Sequence, residues 1–186
     1  MFNGFLYYMA INQSRNSGFT LIELLVSITV VFILVAISVS NYSAVFAERA
    51  LIQKTEHLYH FLRLAKTQAI QENQQIYVHF CQGDNTDIWK MAMADTSACD
   101  CFTDNACLVN GLNKVAQLTD GKKLFASKAD ITFSGQQASY KPMRFGVNTG
   151  SITLNDGNGN KLKVIQGSMR LRICSPDKAQ LGYRRC

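Results

Sequence analysis

A chain of 186 residues with 47% hydrophobic and 17% charged side chains is too apolar for intrinsic disorder and too short for more than one sizeable globular domain. Its formal net charge of +6 is unevenly placed: residues 19–109 hold five basic and nine acidic side chains, residues 110–186 thirteen and four. A basic C-terminal half points to an anionic partner such as nucleic acid, lipid headgroups or an acidic protein surface.

The first element in chain order is a long apolar run headed by Gly18-Phe19-Thr20-Leu21-Ile22-Glu23-Leu24-Leu25-Val26. From Phe19 to Ala47 there are 29 residues, with Glu23 the only ionisable one and no Gly or Pro, so a continuous helix is expected. At about 1.5 Å per residue that helix exceeds the roughly 30 Å of a bilayer's hydrocarbon core. A charged, unpaired carboxylate inside such a helix costs about 3 kcal/mol, so Glu23 calls for a cationic partner.

The nine residues G-F-T-L-I-E-L-L-V resemble the class III signal of type IV prepilins and type II secretion pseudopilins. The resemblance implies that a prepilin peptidase of the inner membrane cuts between Gly18 and Phe19 and methylates the new amine of Phe19. It also implies that Glu23, fifth in the mature chain, pairs with the N-terminal amine of a neighbouring pilin subunit during assembly. The expected organisation is a leader at 1–18, a transmembrane half-helix at 19–47, an amphipathic half-helix at 48–72 and a β-rich periplasmic or extracellular domain at 73–186. The leader is unusual in its apolar start, Phe2 to Tyr8, and Met9 offers an alternative translation start that keeps Arg15. Ser40 stands where major pilins often carry a proline.

Beyond Ala47, apolar Leu51, Leu58, Phe61, Leu62, Ala65 and Ala69 recur at three- and four-residue spacing among charged residues, the pattern of a helix laid on a core. From Ile76 the period becomes two. Short strands are expected at Ile76–Phe80, Ile88–Met91, Cys107–Val109, Lys123–Phe125, Ile131–Phe133, Met143–Val147, Ser151–Leu154, Lys161–Ile165 and Met169–Cys174, with a polar loop at Ala94 to Asn113. The fold class is therefore α+β: a long N-terminal helix packed on a C-terminal antiparallel β-sheet domain of two small sheets.

Six cysteines follow the anchor, Cys81, Cys99, Cys101, Cys107, Cys174 and Cys186. Cys174 and Cys186 enclose a short segment and are expected to bridge; the pairing of the other four is open among the connectivities. A zinc site at Cys99-Asp100-Cys101 with Cys107 lacks the usual C-x2-C pairs, so disulfides are expected and no metal. No motif brings a nucleophile to His57, His60 or His79, and neither an enzyme nor a cofactor is expected.

Met143-Arg144-Phe145-Gly146, Gly150-Ser151-Ile152-Thr153-Leu154 and Met169-Arg170-Leu171-Arg172-Ile173-Cys174 resemble the GspH/FimT branch of minor pilins. FimT-type members are implicated in DNA binding during natural transformation through a Gly-Arg-x-Arg element. Here Arg170-Leu171-Arg172 matches its arginines, with Met169 in the glycine's place; Gly182-Tyr183-Arg184-Arg185 has the glycine but shifts the arginines. Arg170 and Arg172 share parity on the expected last strand, Lys161 and Lys163 on the one before, and Arg184 and Arg185 sit in the tail. These six are the expected phosphate contacts, with Tyr183 able to stack on an unpaired base. The expected protein is a minor type IV pilin, single-pass in the inner membrane and then in a pilus, contacting double-stranded DNA. The alternative is a GspH-like pseudopilin of a type II secretion system with no DNA role.

Overall fold

The computed structural model describes residues 18–84, 86–121, 124, 126–142 and 146–186, with the backbone alone at 37–41. The leader up to residue 17 and most of the strands expected at Lys123–Phe125 and Met143–Val147 lie outside the described residues. The chain divides into two compact units, Met1–Asn41 and Tyr42–Cys186, with helix α1 (Leu21–Gln71) starting in the first and ending in the second.

In the first unit the helix starts at a built cap. The Glu23 N–H donates to Thr20 Oγ1 at 3.2 Å and the Leu24 N–H to the Thr20 carbonyl at 3.1 Å. Thr20-x-x-Glu23 has the capping-box sequence, and a carboxylate in the first turn complements the helix dipole. Ser27 and Thr29 donate their hydroxyls to the carbonyls of Glu23 and Val26, at 2.7 and 2.8 Å, so neither presents a free donor on an otherwise apolar surface. Leu21 is 82% exposed and Phe32 73%. Among the described residues no helix is long and apolar enough to cross a membrane.

In the second unit α1 buries Leu51, Thr55, Leu58, Leu62, Ala65 and Ala69, spaced alternately by four and three residues along one stripe. Thr55, which the apolar pattern passes over, belongs to that stripe because its hydroxyl donates to the Leu51 carbonyl at 2.7 Å.

Two antiparallel sheets meet this stripe in one core. The first has the order β3-β4-β2-β1-β5, from β1 (Ile76–Gln82), β2 (Trp89–Ala94), β3 (Leu108–Val109), β4 (Leu112–Gln117) and β5 (Gln137–Tyr140). The second is β6 (Gly150–Asn155), β7 (Lys161–Gln166) and β8 (Leu171–Cys174) in sequence order. Trp89 is fully buried, with its indole N–H donating to the Ala126 carbonyl at 2.9 Å. Tyr140 donates its hydroxyl to Gln166 Oε1, and Gln166 Nε2 donates to the Asn148 carbonyl at 2.9 Å, tying the end of β7 to the first sheet. Gly150 is needed where it stands: a Cβ there would lie 2.4 Å from the Phe133 ring.

The structure differs from the sequence reading in three strands. Ile131–Phe133 contributes a single bridge, Ile131 to Ile152, instead of a strand. Strands β4 and β5 arise where no strand is expected. Both are polar, Leu-Asn-Lys-Val-Ala-Gln and Gln-Ala-Ser-Tyr, because each lies toward an edge of the sheet with one face partly in water.

Candidate functional site

The three-stranded sheet presents its even-numbered β7 side chains, Leu162, Val164 and Gln166, to the core, and the odd-numbered ones outward. Lys161, Lys163 and Ile165 therefore share the outer face. Arg172 of β8 pairs in register with Ile165, and Cys174 with Lys163, so both belong to that face as well.

Arg170 does not join them. Strand β8 begins at Leu171, not at Met169, because Gly167 to Arg170 form the connecting turn, the Gly167 N–H donating to the Arg170 carbonyl at 3.0 Å. Freed from strand parity, Arg170 lines a cleft on the helix side, shared with Tyr59, Leu62, Arg63, Lys66, Thr67 and Ile70 of α1. The two arginines of the Arg170-Leu171-Arg172 element are thus on different surfaces. Arg63 and Lys66 were legible in the sequence only as polar positions between core residues; nothing local says which element they meet.

The tail carrying Arg184 and Arg185 is fixed in place. Leu181 and Gly182, at φ 52° and 84°, make a tight turn that Gln180 and Tyr183 close with reciprocal backbone hydrogen bonds of 3.1 and 2.9 Å. The Ser175 N–H then donates to the Arg184 carbonyl and the Cys186 N–H to the Ser175 carbonyl, each at 2.9 Å, and Cys186 is bonded to Cys174. Because Cys174 lies across from Lys163, the bridge ties the end of the tail, Cys186, to the outer face. Arg184 and Arg185 are exposed.

Tyr183 is committed elsewhere. Its ring packs against the core and its hydroxyl donates to Glu56 Oε1 of α1 at 2.8 Å. Burial, together with that carboxylate, pushes its pKa up to about 12. It is a tether between tail and helix, in place of the stacking platform expected from the sequence. Lys161 is also partly engaged, its Nζ 3.6 Å from Asp177 Oδ2 in an exposed pair that salt would weaken. Lys163, Arg172, Arg184 and Arg185 have no ion-pair partner among the described residues.

The other four cysteines pair as Cys81–Cys101 and Cys99–Cys107, and among the described residues none is free. They hold the Asp95–Ala106 loop over the outer face of the first sheet. Beneath it His79 is buried, Nε2 3.1 Å from the Thr96 carbonyl, and burial lowers its pKa below the ordinary 6.5. His57 and His60 are exposed on α1, where burial and then Lys54 lower the pKa of His57. At the other end, Gly18 and Phe19 are exposed ahead of the helix, and Glu23 sits in its first turn.

Two family models match the sequence. The model described as type II transport protein GspH covers residues 54–176, roughly two thirds of the chain, and the prokaryotic N-terminal methylation motif covers residues 13–39. Comparison with curated proteins and with solved structures found no match. The first match takes in most of the amphipathic half of α1, both sheets and the start of the C-terminal disulfide; the second takes in Gly18, Phe19 and Glu23.

Proposed function

We propose, from the premise that this chain belongs to the GspH family of pilin-like proteins, that it is a minor pilin that contacts extracellular DNA for uptake. Pilins and pseudopilins are structural subunits that assemble with one another after processing by a prepilin peptidase, and that much follows from membership. On this reading the peptidase cuts after Gly18, Phe19 carries the methylated amine, and residues 19–47 anchor the protein by a single pass in the inner membrane before it enters a pilus. Glu23 then finds its counter-charge in the amine of a neighbouring subunit, which offsets the cost of a carboxylate in an apolar setting.

The observation that carries the DNA reading is the uncovered basic face of the second sheet. Lys163 and Arg172 stand on it without ion-pair partners among the described residues, and a disulfide fixes beside it the tail that carries Arg184 and Arg185. Guanidinium groups on a rigid frame suit phosphate oxygens, and among the described residues the domain offers no recognition helix for base edges, so contact would be independent of sequence.

A second reading is favoured by the description of the matched family, a type II transport protein. A pseudopilin of a secretion system uses the same signal, helix and sheets and needs no anionic ligand. Deleting the gene separates the two. Loss of DNA uptake, restored by the wild-type chain but not by one carrying Lys163→Gln and Arg172→Gln, supports the pilin. Loss of protein secretion with uptake intact replaces it by the pseudopilin. Mass spectrometry of the mature chain should find a methylated Phe19 at its start; a retained leader would refute the processing step.

A further inference from the structure

Arg63 and Lys66 stand three residues apart on α1, neighbours on one helix face, and Arg170 reaches the same cleft from the β7–β8 turn. The cleft holds about 380 Å³, within the range of pockets that take small ligands or single residues of a polymer. Tyr59, Leu62, Ile70 and Leu171 form its apolar wall, and no Asp or Glu is among its lining residues. Among the described residues none of the three cations has an ion-pair partner.

Three positive groups around an apolar recess repel one another, and the low-dielectric wall strengthens that repulsion. The same field attracts an anion, and two guanidinium forks with an ammonium match the tetrahedral, multi-oxygen form of phosphate better than a single carboxylate. A cleft of this volume cannot admit a duplex, but it has room for a backbone phosphate with its sugar.

We propose that this cleft is a phosphodiester-binding site, seating one backbone phosphate of DNA between Arg63, Lys66 and Arg170. The inference rests on the DNA-contact reading and extends it: the nucleic acid touches the helix side of the β7–β8 hairpin as well as the outer face of the sheet. Arg63 and Lys66, far from the C-terminal arginines in sequence, become binding residues.

The test uses the full chain in neutral detergent, titrated with a mixed-sequence duplex oligonucleotide over a salt series. Arg63→Gln with Lys66→Gln should weaken binding on the order of tenfold and make the slope of log affinity against log salt shallower by about 1.8, two lost contacts at about 0.9 each. Arg170→Gln, an exposed turn position with no folding role, should reduce the slope by about 0.9. Arg63→Lys with Lys66→Arg should keep both affinity and slope. If the wild type binds and both Gln variants match it in affinity and slope, the cleft is not a DNA site, and a filament-assembly defect in those variants would assign it to a neighbouring subunit's carboxylate. If the wild type itself fails to bind at low salt, the DNA reading falls, and this inference with it.

Discussion

On the five-stranded sheet the face turned away from the core is sealed along β1 and β2, whereas on the three-stranded sheet the corresponding face of β7 and β8 keeps charged side chains at the surface. The Asp95–Ala106 loop, pinned by Cys81–Cys101 and Cys99–Cys107, buries His79, Ala92 and Ala94, and Lys90 Nζ lies 4.3 Å from the centre of the loop's Phe102 ring. On the second sheet the same side of β7 and β8 carries Lys163, Ile165 and Arg172, with Cys174 buried at the margin by the disulfide that fixes the tail and Ser151 and Thr153 of β6 buried beside them. The difference is written in the side chains. Small alanines let a loop approach β2, while a cationic row could be covered only by desolvating charges at a cost of several kcal/mol each. A sealed face serves stability; an open, charged face is available to a ligand.

Removing the bridges should break this contrast most visibly. Cys81→Ala with Cys101→Ala opens a loop of sequence separation 20 and should cost about 3 kcal/mol, read as a lower denaturation midpoint with DNA affinity unchanged once the protein is folded. Cys174→Ala with Cys186→Ala, separation 12, should cost a similar ~3 kcal/mol and also weaken DNA binding, since Arg184 and Arg185 lose their fixed position. Equal DNA affinity in both double variants would erase the division between the faces.

A smaller effect is expected from Tyr183→Phe, which leaves the ring in place but removes the hydrogen bond to Glu56. Unfolding measurements should show a loss of about 1 kcal/mol. No loss would mean that the tail is held by its disulfide alone.

The smallest effect should appear only in acid. His79 is neutral in the fold because burial lowers its pKa from 6.5, whereas the unfolded chain protonates it at the ordinary value. Its contribution is therefore complete above about pH 6.5 and is lost as pH falls through the depressed folded value. Melting temperatures taken from neutral pH downward should drop less steeply in His79→Gln than in the wild type. An identical slope would show that the sealed loop does not control this histidine.

Much of this architecture was legible in the sequence, and the misses have physical causes. The α1 stripe followed from its three- and four-residue spacing, and β7 from strict alternation, because each has one wet face and one dry one. Strand β4 was missed although Asn110-Gly111, with φ of 52° and 76°, is a strong hairpin signal between Val109 and Leu112. Its polar sequence reads as loop, since a place next to the sheet's edge, covered only by the two-residue β3, relaxes the demand for apolar residues. The six basic residues were legible as a set but not as a surface. A single turn at Gly167–Arg170 moves Arg170 to the helix side, and only the packing of α1 against that hairpin brings in Arg63 and Lys66. The pairing of four cysteines within 27 positions is likewise a matter of which strands adjoin, which spacing does not encode.

The central claim, that the open face is a DNA-contact surface, is tested most directly by titrating the full chain in neutral detergent with duplex DNA across salt, beside a variant with Lys163→Gln and Arg172→Gln. The account predicts sequence-independent binding that falls steeply as salt rises, with the variant's slope shallower by about 1.8 and its affinity lower on the order of tenfold. Absence of wild-type binding at low salt, where electrostatic attraction is strongest, would contradict it and leave the chain a secretion pseudopilin with a basic but unused face.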